Sequence, residues 1–472
     1  PGGGREDIHL ETLSIHTIQH HAPMYVDPAE AELRHRKGLE KAAAKGAAKA
    51  SAAAATLSAG AWAERDLLEQ DALLRECSSG GHLLVLRSAL RNSALFSEEL
   101  RAAARLVALP ERLLAPLGGG LWVLRGAGDE PSAGALLAHH IPRLGGVRLR
   151  LSMVHCAATP SSLLERVRAA PPARSHACWS LRHEAHHPGG DLNLAPWTEL
   201  TNAPSLAIGL SSILGAGFTA ARAEDDADVA ALAAECDKFV LLETKRALFL
   251  CREMPLERAC AVGVARRPSP PPLSLPPWVG CWEHRPFAFS ASLEPLIASA
   301  AVSIAANVHR AAGGEVVARR PLRLLDPCCG SGTVLAAGAA LGLACRGSDL
   351  RDDFVCRARE NLDFLGVAAE VAQHDALAPF PHREDPPDVI VSNPPWGKHI
   401  GGDEDGARIL ECVVREFPAA TMCWIGNAFA FAAAAGLPGV QLVYHCRVGS
   451  AEAFVLRVRR ADADERKCPS DH

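Results

Sequence analysis

The chain has 472 residues, 48% hydrophobic and 22% charged, which is a globular profile with room for two or three domains. A net charge of −5 with a pI near 6.5 excludes a global basic field, so any nucleic-acid partner would need a local cationic face. The 15 cysteines form no CxxC pair and are odd in number, so buried free thiols in a reducing, cytoplasmic compartment are expected rather than a disulfide framework.

No apolar run reaches about 18 residues without a charge or a proline, so no membrane partner is expected. Residues 1–80 read as a low-complexity or helical extension. Alanine dominates from Ala31 to Ala63, and Lys41, Lys45 and Lys49 share one helical face there. Glu6, Asp7 and Glu11 weigh against an acid-poor transit peptide.

Residues 81–265 read as an α+β half built of two modules. In the first, strands at His82–Leu86, Leu121–Leu124 and Val147–Val154 alternate with a helix capped by Ser97 and another around Leu136. In the second, helices are predicted at Leu163–Val167, Ser205–Leu214 and Asp228–Cys236. Its strands are predicted at Cys178–His183, Phe239–Glu243 and Leu248–Cys251. Proline density over 266–284 predicts an extended linker, with Pro268, Pro270, Pro271, Pro272, Pro276 and Pro277.

The pattern then becomes regular. A helix at Leu293–Val308 precedes strand Leu322–Leu325, helix Val334–Leu341, strand Cys345–Ser348 and helix Phe354–Phe364. Strands Glu370–Gln373 and Val389–Ser392, helix Ala407–Phe417, strand Thr421–Ile425 and helix Ala428–Ala435 follow, and an antiparallel pair at Gln441–Cys446 and Phe454–Arg459 closes the series. Alternating strands and helices imply an α/β domain with a mostly parallel sheet covered on both faces. Ligands of such sheets bind at the carboxyl ends of the strands.

Two loops carry the chemistry. The first is Asp326-Pro327-Cys328-Cys329-Gly330-Ser331-Gly332-Thr333. Its glycines let backbone approach a ligand, and the next helix offers free N–H groups. Leu335 stands where a dinucleotide fingerprint needs a third glycine, and Thr333 where a triphosphate loop needs lysine. A ligand with an amino acid and an adenosine but no phosphate fits what remains. Asp349, followed by Leu350, is placed to accept ribose hydroxyls, and Asp375, followed by Ala376, to accept the adenine amine.

The second loop, Asn393-Pro394-Pro395-Trp396, ends the fourth strand, since two prolines cannot continue a ladder. The Asn393 side chain and the Pro394 carbonyl can both accept hydrogens from one amino group. Held so, a delocalised nitrogen lone pair can localise toward a sulfonium methyl carbon. Trp396 is positioned to stack on a planar substrate, a contact of about 1–3 kcal/mol for a base.

These loops resemble those of the class I S-adenosylmethionine-dependent methyltransferases. Within that class, residues 285–461 are similar to the RNA methylases attached to THUMP domains, which act on the guanine N2 amine of tRNA. Arg285-Pro286-Phe287 and the trailing Gly397-Lys398 are part of the likeness. The resemblance implies a Rossmann-like fold, with a mostly parallel seven-stranded sheet whose last strand is antiparallel. It also implies S-adenosyl-L-methionine as cofactor, held by residues 326–333 with Asp349 and Asp375, and Asn393 and Trp396 in catalysis. Tyr or Phe is commoner than Trp at position 396, and an acid often stands at 393.

The expected partner is tRNA, and some related eukaryotic tRNA methylases work with a small activating subunit. The N-terminal half resembles a THUMP-like RNA grip, with Phe239–Cys251 similar to the close of such a domain. Arg143, Arg148, Arg150, Arg166, Arg168, Arg174 and Arg182 are its candidate phosphate contacts. Alternative acceptors are the N6 of adenine and a glutamine amide, and a non-catalytic scaffold is the alternative of another class. His183-Glu184-Ala185-His186-His187 fits a zinc-protease pattern literally, but Pro188-Gly189-Gly190 would end the helix that pattern needs, so no metal is expected.

Overall fold

The computed structural model describes residues 83–88, 93–118, 121–125, 130–173, 179–185, 203–214, 217–219, 236–243, 247–254, 276–313, 320–381, 384–396 and 404–458, besides residues 72 and 402. All of them belong to one compact unit, Ala52–His472. The expected alanine-rich helix, the helix at 228–236 but for Cys236, Gly397-Lys398 and the tail 462–472 lie outside the described residues.

Alternating apolar residues in the N-terminal half build one mixed sheet of eight strands rather than two modules. In chain order these are β1 (Leu83–Ser88), β2 (Leu114–Gly118), β3 (Leu121–Arg125), β4 (Val147–Ala157), β5 (Trp179–Ala185), β6 (Gly217–Thr219), β7 (Asp237–Glu243) and β8 (Leu248–Met254). Their order across the sheet is β2-β3-β1-β4-β8-β7-β5-β6. The join is β4, whose 11 residues pair with β1 on one side and β8 on the other. Pairing between segments about a hundred residues apart leaves no local signal, so the two modules read as separate.

Helix α1 (Ser93–Leu106) starts one turn before the expected cap. Ser97 instead accepts the Trp122 indole N–H at 3.3 Å, while Leu95 and Phe96 are buried. Helix α2 (Pro131–Ala135) leads into a π-turn at Leu136–His140, and α3 (Pro160–Ala169) opens on a Thr159–Ser162 capping box with proline at its first position. Helix α4 is Ala203–Leu214.

Within the stretch expected as a linker, Pro277–Trp282 forms helix α5. Pro277 needs no hydrogen bond at a helix start, and the buried Trp278 and Trp282 anchor the turn. Each such burial contributes about 1.5–3 kcal/mol.

The C-terminal sheet follows the expected succession closely. Its strands are β9 (Arg323–Asp326), β10 (Ala344–Asp349), β11 (Ala369–Gln373), β12 (Val389–Ser392), β13 (Thr421–Gly426), β14 (Val440–Val448) and β15 (Ala451–Val458). Its helices are α6 (Pro295–Ala312), α7 (Thr333–Ala340), α8 (Asp352–Phe364), α9 (Asp405–Glu416) and α10 (Ala428–Gly436). The strand order is β11-β10-β9-β12-β13-β15-β14. Strands β9 to β13 pair in parallel, and β15 runs antiparallel to both neighbours. This is the mostly parallel, Rossmann-like sheet with an antiparallel last strand. Period-two alternation sorts its side chains, with Leu324, Val389 and Val391 facing α6 and α7, and Leu325 and Ile390 facing α9.

Helix α1 shares the core of this second sheet: Leu95, Phe96 and Ala102 join one cluster with α5, α6 and α7. The Tyr444 hydroxyl of β14 donates to the Ala94 carbonyl at 2.9 Å. Buried Glu99 accepts the Gly145 and Gly146 N–H groups at 2.9 and 2.8 Å, tying α1 to the start of β4.

At the amino edge of the sheet, Asp388 accepts the Arg323 N–H and the Arg320 guanidinium, at 2.8 Å each. Burial alone would raise its pKa, but the two arginines reverse that and hold it well below the carboxylate range. Of the described cysteines ten are free thiols, whereas Cys236 is in a disulfide, which departs from the expectation of free thiols throughout. Among the described residues no helix is long and apolar enough to cross a membrane.

Candidate functional site

The order of the strands reverses between β9 and β12, the switch point at which α/β sheets open a crevice. The 326–333 loop leaves β9 there and the 393–396 loop leaves β12, so the sheet brings both expected loops to one edge.

The first loop is shaped by its glycines and held by acids. Gly330 and Gly332 have φ of +52° and +87°, a region that disfavours other residues, and a Cβ on Gly330 would meet nothing within 4 Å. The Cys329 N–H donates to the Ser348 carbonyl at 2.8 Å, seating the loop on β10. Thr333 then opens α7, whose first N–H groups face the loop.

Asp326 is fully buried and accepts the Cys328 N–H at 3.1 Å and the Ser392 hydroxyl at 2.8 Å. Burial raises its pKa to about 7, against the pull of these two hydrogen bonds. Asp326 thus braces β9 against β12 across the switch point. Asp349 accepts the Gly330 N–H and the Arg351 N–H at 3.0 Å each, and burial raises its pKa too. Each carboxylate oxygen keeps a lone pair for a ligand hydroxyl.

Leu350, beside it, is 63% exposed and offers a bare apolar face. Asp375 is exposed and accepts the Leu377 N–H at 2.9 Å, a local turn bond, while Ala376 is buried in the core below. Pro327 is buried, and the thiols of Cys328 and Cys329 are pushed well above their usual range by burial and by the nearby Asp326 and Asp349. They stay protonated, which removes thiolate chemistry from the loop.

The second loop is held from three directions. Asn393 Nδ2 donates to the Ala291 carbonyl at 3.3 Å, and its Oδ1 is buried without a partner. Trp396 Nε1 donates to the Ile425 carbonyl of β13 at 3.2 Å, fixing the plane of the half-buried indole. Gly406, in the first turn of α9, packs so closely that a Cβ there would stand 2.9 Å from the Pro395 oxygen. Pro394 is buried beneath the turn and Pro395 is half-buried.

Residues 287–292 bridge the two loops, and of them only Phe287, within the Arg285-Pro286-Phe287 likeness, carried an expectation. Ser292 Oγ lies 2.7 Å from Ser331 Oγ. Asn361, fully buried in α8, donates to the Phe287 and Ser331 carbonyls at 2.9 and 3.0 Å and accepts the Phe287 N–H at 2.9 Å. Its signal was present: it stands seven residues after Phe354 in the apolar stripe of α8, where a polar residue is out of place. Ser392, a brace for Asp326, read only as a strand end.

His183 and Glu184 lie in β5, paired in parallel with β7, rather than on the helix a zinc-protease pattern requires, and His186 and His187 lie outside the described residues. Among the described residues no cluster of three His, Cys, Asp or Glu side chains could hold a metal. Of the seven candidate phosphate-binding arginines, Arg143 donates to the His139 carbonyl, and Arg150 Nε is buried without a partner. Arg166 and Arg168 lie in α3. Arg174 and the side chains of Arg148 and Arg182 are outside what the structure describes.

Residues 283–431 match the family described as "RMKL-like, methyltransferase domain". The chain is 31% identical over 134 residues to a tRNA (guanine(10)-N2)-dimethyltransferase of Methanothermobacter thermautotrophicus, covering 28% of this chain and 35% of that one. It therefore spans about a third of the length of the curated relative it matches. Two solved structures are similar over most of the chain. TrmN from Thermus thermophilus has TM-score 0.46 and 19% identity, covering 80% of this chain and 99% of the other. A predicted N6-adenine-specific DNA methylase from Listeria monocytogenes has TM-score 0.41 and 14% identity, covering 82% and 98%. The switch-point crevice, the two loops and this match together make residues 283–431 a class I methyltransferase domain similar to the RMKL-like family.

Proposed function

We propose that the chain transfers the methyl group of S-adenosyl-L-methionine to the exocyclic N2 amine of a guanosine in tRNA. The observation that carries the reading is the Asn393 amide. It presents a buried oxygen with no partner at the edge of the sheet where the glycine loop opens. An unpaired acceptor in such a place is costly by about 1–3 kcal/mol unless a ligand donor meets it. An amine is such a donor, and the curated relative that the chain matches is named for methylating guanine N2.

The residues present fit the cofactor. The loop 326–333 would take its amino-acid part, Asp349 its ribose hydroxyls, and Leu350 with the Asp375-Ala376 turn its adenine. When bound, the cofactor supplies an electrophilic methyl on a cationic sulfur. The chain's own part is to hold the acceptor amine: Asn393 Oδ1 and the Pro394 carbonyl accept its hydrogens, and Trp396, its plane fixed by Ile425, stacks on the base. In-line positioning of this kind supplies much of the rate without a strong general base.

In this reading residues 285–461 are the catalytic domain, and the N-terminal half grips the RNA in a THUMP-like manner, with a small activating subunit as a further partner. The test is incubation with labelled cofactor and separate tRNA, rRNA, DNA and protein pools, then mass spectrometry of the nucleosides. Label confined to N2-methylguanosine from tRNA is expected. Label on adenine or on a protein amide would move the acceptor, and no label with the activating subunit present would refute catalysis. Asn393→Ala is expected to abolish transfer while S-adenosylhomocysteine still binds; unchanged activity would refute its assignment.

A further inference from the structure

The amide of Asn393 could point either way, and its neighbour decides which. A backbone carbonyl can only accept, so the Ala291 oxygen fixes the NH2 end of Asn393 toward residues 287–292. The oxygen end is thereby left facing away, buried and unpaired. The stretch that supplies this carbonyl has no regular structure between α5 and α6, so something else must hold it in place.

Asn361 does so with every polar atom it has. One amide reads both the N–H and the carbonyl of Phe287, as a neighbouring strand would, and its second N–H reaches the Ser331 carbonyl in the cofactor loop. The hydroxyls of Ser292 and Ser331 make a second tie at 2.7 Å. Phe287 and Phe289 stack on each other at 6.3 Å, and Phe289 packs edge-on against Phe354 of α8 at 4.9 Å.

We infer that residues 287–292 are a positioning strap: Asn361 locks the strap to the 326–333 loop, and its Ala291 carbonyl turns the Asn393 oxygen toward the substrate amine. Asn361 and Ala291 are positioning groups, acting through Asn393. The inference rests on the proposed amine methyltransfer for its kinetic consequence, but not for its geometry. It also accounts for the residue type at 393. If the site needed only an acceptor oxygen, aspartate would serve as well. With a carbonyl fixed opposite, aspartate sets acceptor against acceptor, and asparagine alone satisfies both sides.

The experiment compares the full chain with N393D and N361D, each near-isosteric with the original, using the RNA pool that the wild type methylates. N393D is expected to lose about 100-fold in kcat while binding S-adenosylhomocysteine within about threefold, since a displacement of about 1 Å can cost that much. N393D at wild-type activity would overturn the strap. N361D loses its donor to Phe287 of the strap and its donor to Ser331 of the cofactor loop, and is expected to lower kcat at least about tenfold.

Side-chain amide resonances give a readout independent of activity. In the wild type, the Asn361 and Asn393 NH2 groups should be protected from hydrogen exchange, and N361D should remove the protection at Asn393. A protected Asn393 in folded N361D would refute the coupling. Should N361D not fold, the N393D comparison and the wild-type protection still decide. A wild type that methylates nothing yet shows both protected amides would sink the proposed function and leave the strap standing.

Discussion

Asp326 offers a test in which electrostatics and hydrogen bonding pull in opposite directions. In the fold its carboxyl has a pKa of about 7, against 3.8 for an ordinary aspartate, with burial as the main cause. The folded chain therefore keeps this proton over a range where the unfolded chain has lost it. Between about pH 4 and 7 the native state binds more protons, so this group's contribution to stability falls as pH rises and stays low above 7. A rise of that size corresponds to about 4 kcal/mol, an upper figure because local relaxation reduces it.

Asp326→Asn keeps an oxygen for the Ser392 hydroxyl and the Cys328 N–H, the two groups that Oδ1 now accepts. It removes the charge and puts an NH2 in place of Oδ2, to which neither of these hydrogen bonds goes. The variant should match the wild type near pH 4 and exceed it by about 2–4 kcal/mol at pH 8, read from urea unfolding at half-unit steps. Asp349 is shifted upward in the same sense by burial, but it is common to both proteins and drops out of the difference. A gap independent of pH, or an asparagine variant less stable at pH 8, would refute the reasoning. The second outcome would mean that the charged hydrogen bonds outweigh burial.

Gly406→Ala puts a Cβ 2.9 Å from the Pro395 oxygen and 3.4 Å from Pro394 Cγ. Alanine gains about 1 kcal/mol in a helix over glycine, against about 1–3 kcal/mol for overpacking, so a net loss of no more than about 2 kcal/mol is expected. Activity should fall more than about tenfold as the catalytic loop gives way, checked by parallel unfolding and kinetic measurements. Glu99→Gln turns an amide N–H toward the Gly145 and Gly146 N–H groups that the carboxylate now accepts. A loss of about 1–3 kcal/mol in urea is expected, with S-adenosylhomocysteine affinity unchanged because Gly145 and Gly146 belong to neither loop.

The two halves of the chain differ in how far sequence could reach them, and the difference is physical. In the C-terminal half each signal is local. Apolar runs end at a proline or an acid, glycine takes the positive-φ turns at 330 and 332, and helices follow within a few residues. A parallel sheet adds little ambiguity, because each strand must be followed by its crossover. In the N-terminal half, β4 joins β1 and β8, and β5 lies between β6 and β7 in parallel. Those choices depend on partners far along the chain, which no turn residue announces. The Pro277–Trp282 helix was hidden for a related reason: proline density argues for extension unless burial of the tryptophans is known.

The site itself divides along the same line. Motif residues announce themselves because their backbone roles restrict the residue type: glycine for a turn, proline for a strand end. Groups that orient them act through main-chain atoms, and a carbonyl has no residue type. Asn393 meets only the oxygen of Ala291, and Trp396 only the oxygen of Ile425 rather than its buried side chain, so neither orienting role restricts the residue type. What such an arrangement does constrain is the partner. A carbonyl requires a donor opposite, which admits asparagine and rejects an ionised aspartate at 393. On the proposed strap, asparagine in place of the acid that often stands at that position follows from an atom that sequence cannot display.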